Sequence, residues 1–182
     1  MKKVFLISFL VLAADQALKF WVKTHMYLGE KIPVTSWFDL HFVENPGMAF
    51  GMEFGGEAGK LLLTVFRIVV SVLLLWLIRN LTRRHASATL VIPLTLIFAG
   101  AVGNIIDSMF YGLVFNDPAV GVATFLPEGG GYAPLFHGKV VDMFYFHFWQ
   151  GVLPVAAIAG IRAGTRSAKP GTGAGNLFGF LF

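Results

Sequence analysis

The sequence predicts an all-α membrane protein, a four-helix transmembrane bundle with a degraded fourth helix and a small outward-facing β-element. Three observations carry that prediction. Of 182 residues, 56% are hydrophobic and only 13% are charged, against about 25% charged in a soluble domain. The apolar residues gather into runs near the ~20 residues that cross a bilayer. The charges between those runs alternate in sign along the chain, as membrane topology leads one to expect. The formal charge of +4 needs no nucleic acid to explain it. Cysteine is absent, which excludes a disulfide framework, a thiol nucleophile and a cysteine-based metal site.

The first run is about Val4 to Val22, preceded by Lys2 and Lys3. Met-Lys-Lys, an apolar core and Ala13-Ala14 resemble a cleavable signal peptide. The apolar pattern resumes through Ala17, Leu18, Phe20, Trp21 and Val22, which favours a retained helix. Next, Lys31 to Val43 alternates and is rich in β-branched and aromatic residues, so it reads as a strand pair at the membrane interface. The second run, Leu61 to Ile78, is followed by Arg79, Arg83 and Arg84, and the third covers Ala88 to Ile106. Asn116 to Pro134, rich in Gly and Pro, reads as loop. The fourth run, Val140 to Ile161, is poorer because it holds Asp142, His147, Gln150 and Pro154. Residues 1–161 are thus expected to form one membrane domain, and 162–182 a flexible tail. Acids stand in the first and third connections, and unopposed bases at the N-terminus, after run two and in the tail. The positive-inside rule then puts both termini in the cytoplasm and both long loops outside.

Polar groups inside apolar runs are expensive and usually have a task. Asp15 and Lys19 are four apart, on one helix face, with the acid on the favourable N-terminal side. Counting ~1.5 Å per residue, Lys19 lies roughly 22 Å along run one, and Asn104 and Asp107 about 24 and 28 Å along run three. Lys19, Asn104, Asp107 and Asp142 can therefore gather near the outer surface. Each also has a plain structural reading. Asp15–Lys19 can be an ion pair closing a helix end, Lys19 can snorkel, and Asn104 can bond a neighbouring helix. Gly100, Ala101 and Gly103 permit close approach to run three. Arg67 is read as the partner of an acid such as Glu53 or Asp15. Glu44-Asn45-Pro46-Gly47-Met48-Ala49-Phe50-Gly51 reads as a fixed turn in which Asn45 offers a donor and an acceptor. His137 and His147 flank Asp142 at a spacing that does not put the three on one helix face, so no metal is expected.

Four strings then stand in order: Asp15-Gln16-Ala17-Leu18-Lys19, Asn45 to Gly51, Gly100 to Asp107, and Val140-Val141-Asp142-Met143-Phe144. Together they resemble lipoprotein signal peptidase (signal peptidase II), a bacterial inner-membrane aspartic endopeptidase. Gly131 to Gly138, with the long loop before it, looks like the Bacteroidetes-type branch. The resemblance implies four transmembrane helices, a small periplasmic β-element and no cofactor. The implied substrate is a prolipoprotein whose signal helix enters the bundle and whose cysteine carries diacylglycerol. Cleavage falls before that cysteine, by a water that two aspartates activate. By match, Asp142 is one of the two. Asp15, Lys19, Asn45, Gly47, Ala49, Phe50, Gly103, Asn104 and Asp107 match positions that line or support the site. Ser108 stands where many members have Arg.

The resemblance also implies a second aspartate, in a block like Phe-Asn-x-Ala-Asp opening the fourth helix. No Asp or Glu follows Asp142 in this sequence. The nearest match, Pro154 to Gly160, puts Gly160 where that aspartate belongs. A shifted reading frame, a naturally inactive relative, or substitution by Asp107 or Asp15 would each account for this. The chain as written is expected not to cleave. Two rival functions are a receiver that binds lipoprotein signal helices without turnover, and a small transporter using Asp15, Lys19 and Arg67.

Overall fold

Among the described residues, three helices are long and apolar enough to cross a membrane. The computed structural model describes residues 2–46, 56–147 and 180–181. In chain order they form α1 (Lys2–His25), β1 (Lys31–Thr35), β2 (Phe38–Asn45), α2 (Gly56–Arg83), α3 (Ala88–Ile106), β3 (Val140–Phe146) and the two-residue β4 (Phe180–Leu181). A π-helical turn, Asp107–Tyr111, prolongs α3 into a last short turn at Gly112–Val114.

The helices wear their apolar side chains outward. Phe5 is 74% exposed, Leu62 70% and Trp76 63%. A soluble monomer rarely shows so much contiguous apolar surface, and lipid is the solvent that suits it. The buried apolar groups form two clusters at opposite ends. Val4, Ile78 and Val91 lock the three helices where α1 and α3 begin. Val22, Met26, Phe42, Tyr111, Phe115, Val141 and Met143 join the far ends of α1 and α3 to the sheet. These pairings make α1 and α3 parallel, with α2 returning between them in sequence.

The expected strand pair is present as β1 and β2, antiparallel, with Lys31 opposite His41 and Thr35 opposite Phe38. The sheet order is β1-β2-β3-β4. The expected fourth span, 140–161, is corrected over its first turns: Val140–Phe146 is strand β3, paired antiparallel with β2. The physical reason is visible in the burial. Val141 and Met143 are fully buried while Asp142 and Phe144 are less so, a period of two rather than 3.6. Asp142 therefore sits on a strand, not within a membrane helix. Residues 148–161 and the tail 162–179 lie outside the described residues, as do Gly47, Ala49, Phe50, Glu53 and Gly160.

Candidate active site

Lys19 is the hub of a buried polar cluster. Its Nζ lies 2.7 Å from Asp107 Oδ2, 2.8 Å from Asn104 Oδ1 and 3.3 Å from Asp15 Oδ2. Lys19 is 3% exposed and Asp107 is 0% exposed. A buried charge is tolerable only when paired and hydrogen-bonded on its remaining sides, and Asp107 meets that condition. Gln16 Nε2 donates to Asp107 Oδ1 at 3.0 Å, and Val141 N–H donates to Asp107 Oδ2 at 3.2 Å. The last bond ties β3 to the helices at the residue before Asp142.

Local sequence places each group. Asp15, Gln16 and Lys19 share one face of α1 by helical spacing. Gly103 leaves room for α1: a Cβ there would collide with the Asp15 carboxylate. The π-helical turn at Asp107–Tyr111 is a conformation that recurs at functional sites. It carries Tyr111, whose hydroxyl donates to Gln16 Oε1 at 3.3 Å. Gly138 N–H caps the same turn through Ser108 O at 2.8 Å, which brings the chain back at the position from which β3 starts.

A cavity of about 340 Å³ opens beside this cluster, lined by Asp15, Lys19, Asn45, Gly100, Asn104 and Asp142, with the Val141–Phe144 backbone strand as one wall. Strand alternation explains the company Asp142 keeps. Val43 pairs with Asp142 and Asn45 with Val140, so Asn45 and Asp142 share one sheet face, and the Asn45 side chain hydrogen-bonds the Asp142 carboxylate. Burial pushes the Asp142 carboxyl above the usual aspartate range; the Asn45 hydrogen bond and the charges of Lys19 and Arg67 pull the other way without cancelling it. Glu44 faces the opposite side, where it pairs with the fully buried Lys23.

The structure thus brings together Asp15, Lys19, Asn45, Gly103, Asn104, Asp107 and Asp142. Arg67 is half-buried on α2 and donates to Ser108 Oγ at 3.3 Å, while Asp15 takes Lys19 as its ion-pair partner. Glu53, the other acid expected beside Arg67, lies outside the described residues. The Arg67 charge also acts on Asp142 and Asp107. His147 turns to Ser36 O and Asp39 and His137 to Leu135 O, away from Asp142. Sequence reasoning passed over Gln16 and Tyr111. The signal for Gln16 was its i,i+3 spacing from Lys19; Tyr111, one turn beyond Asp107, carried no comparable mark.

The arrangement can orient a polar chain segment entering from the bilayer. It offers an ammonium, two side-chain amides and a carboxylate of raised proton affinity around one cavity. The signal peptidase (SPase) II family profile matches residues 7–162. The chain is 50% identical over 146 residues to a lipoprotein signal peptidase of Porphyromonas gingivalis, covering 80% of this chain and 63% of that protein. A lipoprotein signal peptidase of Amoebophilus asiaticus is 38% identical over 154 residues, covering 81% and 61%. The chain thus spans about 63% of the length of the first of these relatives. Among solved structures, a bacterial membrane enzyme determined by the in meso method at 2.3 Å has a similar fold, with a TM-score of 0.52 at 20% identity over 81% of this chain and 72% of that one.

Proposed function

The chain belongs to the signal peptidase II family, and from that premise we propose that the Asp142 cavity is a peptidase site for prolipoproteins. It receives the signal segment of a prolipoprotein whose cysteine carries diacylglycerol, with both lipid tails left in the bilayer. The protein sits in the bacterial inner membrane, termini inside, with the cavity near the periplasmic face. The observation that supports this most is the convergence of Asp142, Lys19, Asn104 and Asn45 on one cavity at one end of the bundle.

Amide hydrolysis needs a base to take a proton from water and an acid to protonate the leaving nitrogen. Two close carboxylates sharing one proton supply both and titrate as a unit. Asp142 supplies one. Water adds to the carbonyl before the lipidated cysteine as one carboxylate takes its proton. The carbon–nitrogen bond then breaks as the other delivers a proton to the cysteine nitrogen. Lys19, Asn104 and Asn45 hold the substrate backbone and the Asp142 side chain in register.

The sequence after Asp142 contains no acid. That observation favours a second reading for the chain as written, namely binding without turnover. Two proteins in proteoliposomes separate the readings: the 182-residue chain, and a chimera in which residues 148–182 are replaced by the corresponding segment of the Porphyromonas relative. The expected result is capture of a diacylglyceryl prolipoprotein by both and cleavage by the chimera alone, lost on Asp142→Asn. Cleavage by the chain as written, abolished by Asp142→Asn, would mean that Asp107 or Asp15 completes the pair. Capture by neither protein would sink the proposal.

A further inference from the structure

At the end of the bundle opposite Asp142 lies a second, larger cavity of about 670 Å³, between the first turns of α1 and α3 and the turn that joins α2 to α3. Its rim carries Lys2, Lys3 and His85, and its floor is Val4, Ile7 and Val91. We infer that this cavity binds an anionic phospholipid, its phosphate at the rim and the start of an acyl chain along the floor.

The charge is one-sided. No Asp or Glu occurs in residues 2–14 or 58–106, so no acid on these stretches opposes Lys2 and Lys3. Arg83 and Arg84 adjoin the same turn. Both α1 and α3 begin here without an acidic residue in the first turn, and the Ser87 side chain makes no capping bond to α3. The positive ends of two helix dipoles therefore add to the lysines. An anion is the complement, and juxtamembrane lysines draw anionic headgroups in this way.

The apolar floor selects a lipid over a free anion. Val4 and Val91 are buried with Ile78 in the cluster that locks the helices, and Ile7 continues the floor up α1 in the direction an acyl chain takes. The volume lies within the range of sites that hold small ligands.

His85 is held at the rim at some expense. Ala86 N–H bonds Leu81 O and His85 N–H bonds Thr82 O, the pattern of a Schellman helix end. The residue at its left-handed position is normally glycine, yet here it is His85 at φ 55°. A β-carbon is strained in that conformation, and the imidazole it carries lines the cavity.

The test uses the full chain, purified, delipidated and titrated with phosphatidylglycerol or phosphatidylcholine, with bound lipid read by native mass spectrometry. Retention of phosphatidylglycerol over phosphatidylcholine is expected. Lys2→Gln/Lys3→Gln should weaken it roughly thirtyfold, as two lysines near a headgroup imply. Ile7→Trp should weaken it by filling the floor without touching charge. His85→Gly keeps the test valid if the double variant folds poorly: it relieves the left-handed strain, so it should melt higher while retaining less phosphatidylglycerol. Equal retention of the two lipids, unchanged retention in these variants, or displacement of phosphatidylglycerol by millimolar inorganic phosphate would each overturn the inference, the last by indicating a free-anion site.

Discussion

Lys19 and Lys23 stand one turn apart on the same face of α1, and both are buried, yet they serve different neighbourhoods. Lys19 contacts Asp15, Asn104 and Asp107 between two membrane helices and opens onto the cavity that holds Asp142. Lys23 is enclosed. It pairs with Glu44 of β2, and its ammonium lies 5.3 Å from the Phe115 ring centre and 5.2 Å from that of Tyr132. Lys139 reaches the other Glu44 oxygen at 3.1 Å, and its backbone N–H donates to the Tyr132 hydroxyl at 2.7 Å. The lesson is that a buried lysine does not by itself mark a site. What distinguishes the two is access: one ammonium borders a cavity, while aromatic rings seal the other and bind sheet and loop to the helix.

Replacing Lys19 tests that distinction most severely. Lys19→Met leaves Asp107 fully buried beside Asp15 with only the Gln16 amide and the Val141 N–H as donors. Removing one partner of such a buried pair costs about 3–5 kcal/mol. Thermal unfolding in detergent should show that loss, and prolipoprotein capture should disappear even at temperatures where the variant remains folded. Retained capture by folded Lys19→Met would end the claim that this is the working side.

Lys23→Met should do less. Methionine keeps the packing among the rings, and Glu44 retains Lys139, so the loss should be about 2 kcal/mol. Capture at low temperature should match the unmodified chain. If capture fails without a lower melting temperature, Lys23 belongs to the site and the comparison collapses.

Much of the Lys19 side was legible in the sequence. Asp15 and Lys19 stand in an apolar run, and charge there is conspicuous because lipid makes it expensive. The three apolar helices were legible for the same reason, and the β1–β2 pair through its alternation. Lys23 was not, because it follows the apolar run and reads as an ordinary basic residue at a helix end. Its burial comes from Phe42, Phe115 and Tyr132, contributed by three distant segments. The segment Val140–Phe146 misled through hydropathy, which does not separate a buried strand from a helix when a run is short. Its period of two emerges only once β2 supplies a partner. Gln16 hid in a motif whose charged members drew attention.

The smallest expected effect concerns Asp142 and sharpens the comparison through pH. Burial raises its carboxyl above the usual aspartate range despite Asn45, Lys19 and Arg67. The folded chain then holds that proton more tightly than the unfolded chain does. The stability this group contributes is complete below the ordinary aspartate range and is lost as pH rises through the raised value. Asparagine has no such dependence. Asp142→Asn should therefore melt with the unmodified chain at acidic pH and above it near neutrality, by about 2 °C, the shift a fraction of a kcal/mol produces in a chain of this size. The contrast with Lys19 is then one of sign: removing the ammonium weakens the fold, whereas removing the carboxylate that faces the cavity strengthens it. A carboxylate kept against the interest of stability is what a site for chemistry requires. If the unmodified chain instead melts higher at neutral pH, Asp142 is held by Lys19 and Arg67 as a structural anion, and it joins Lys23 on the architectural side of the comparison.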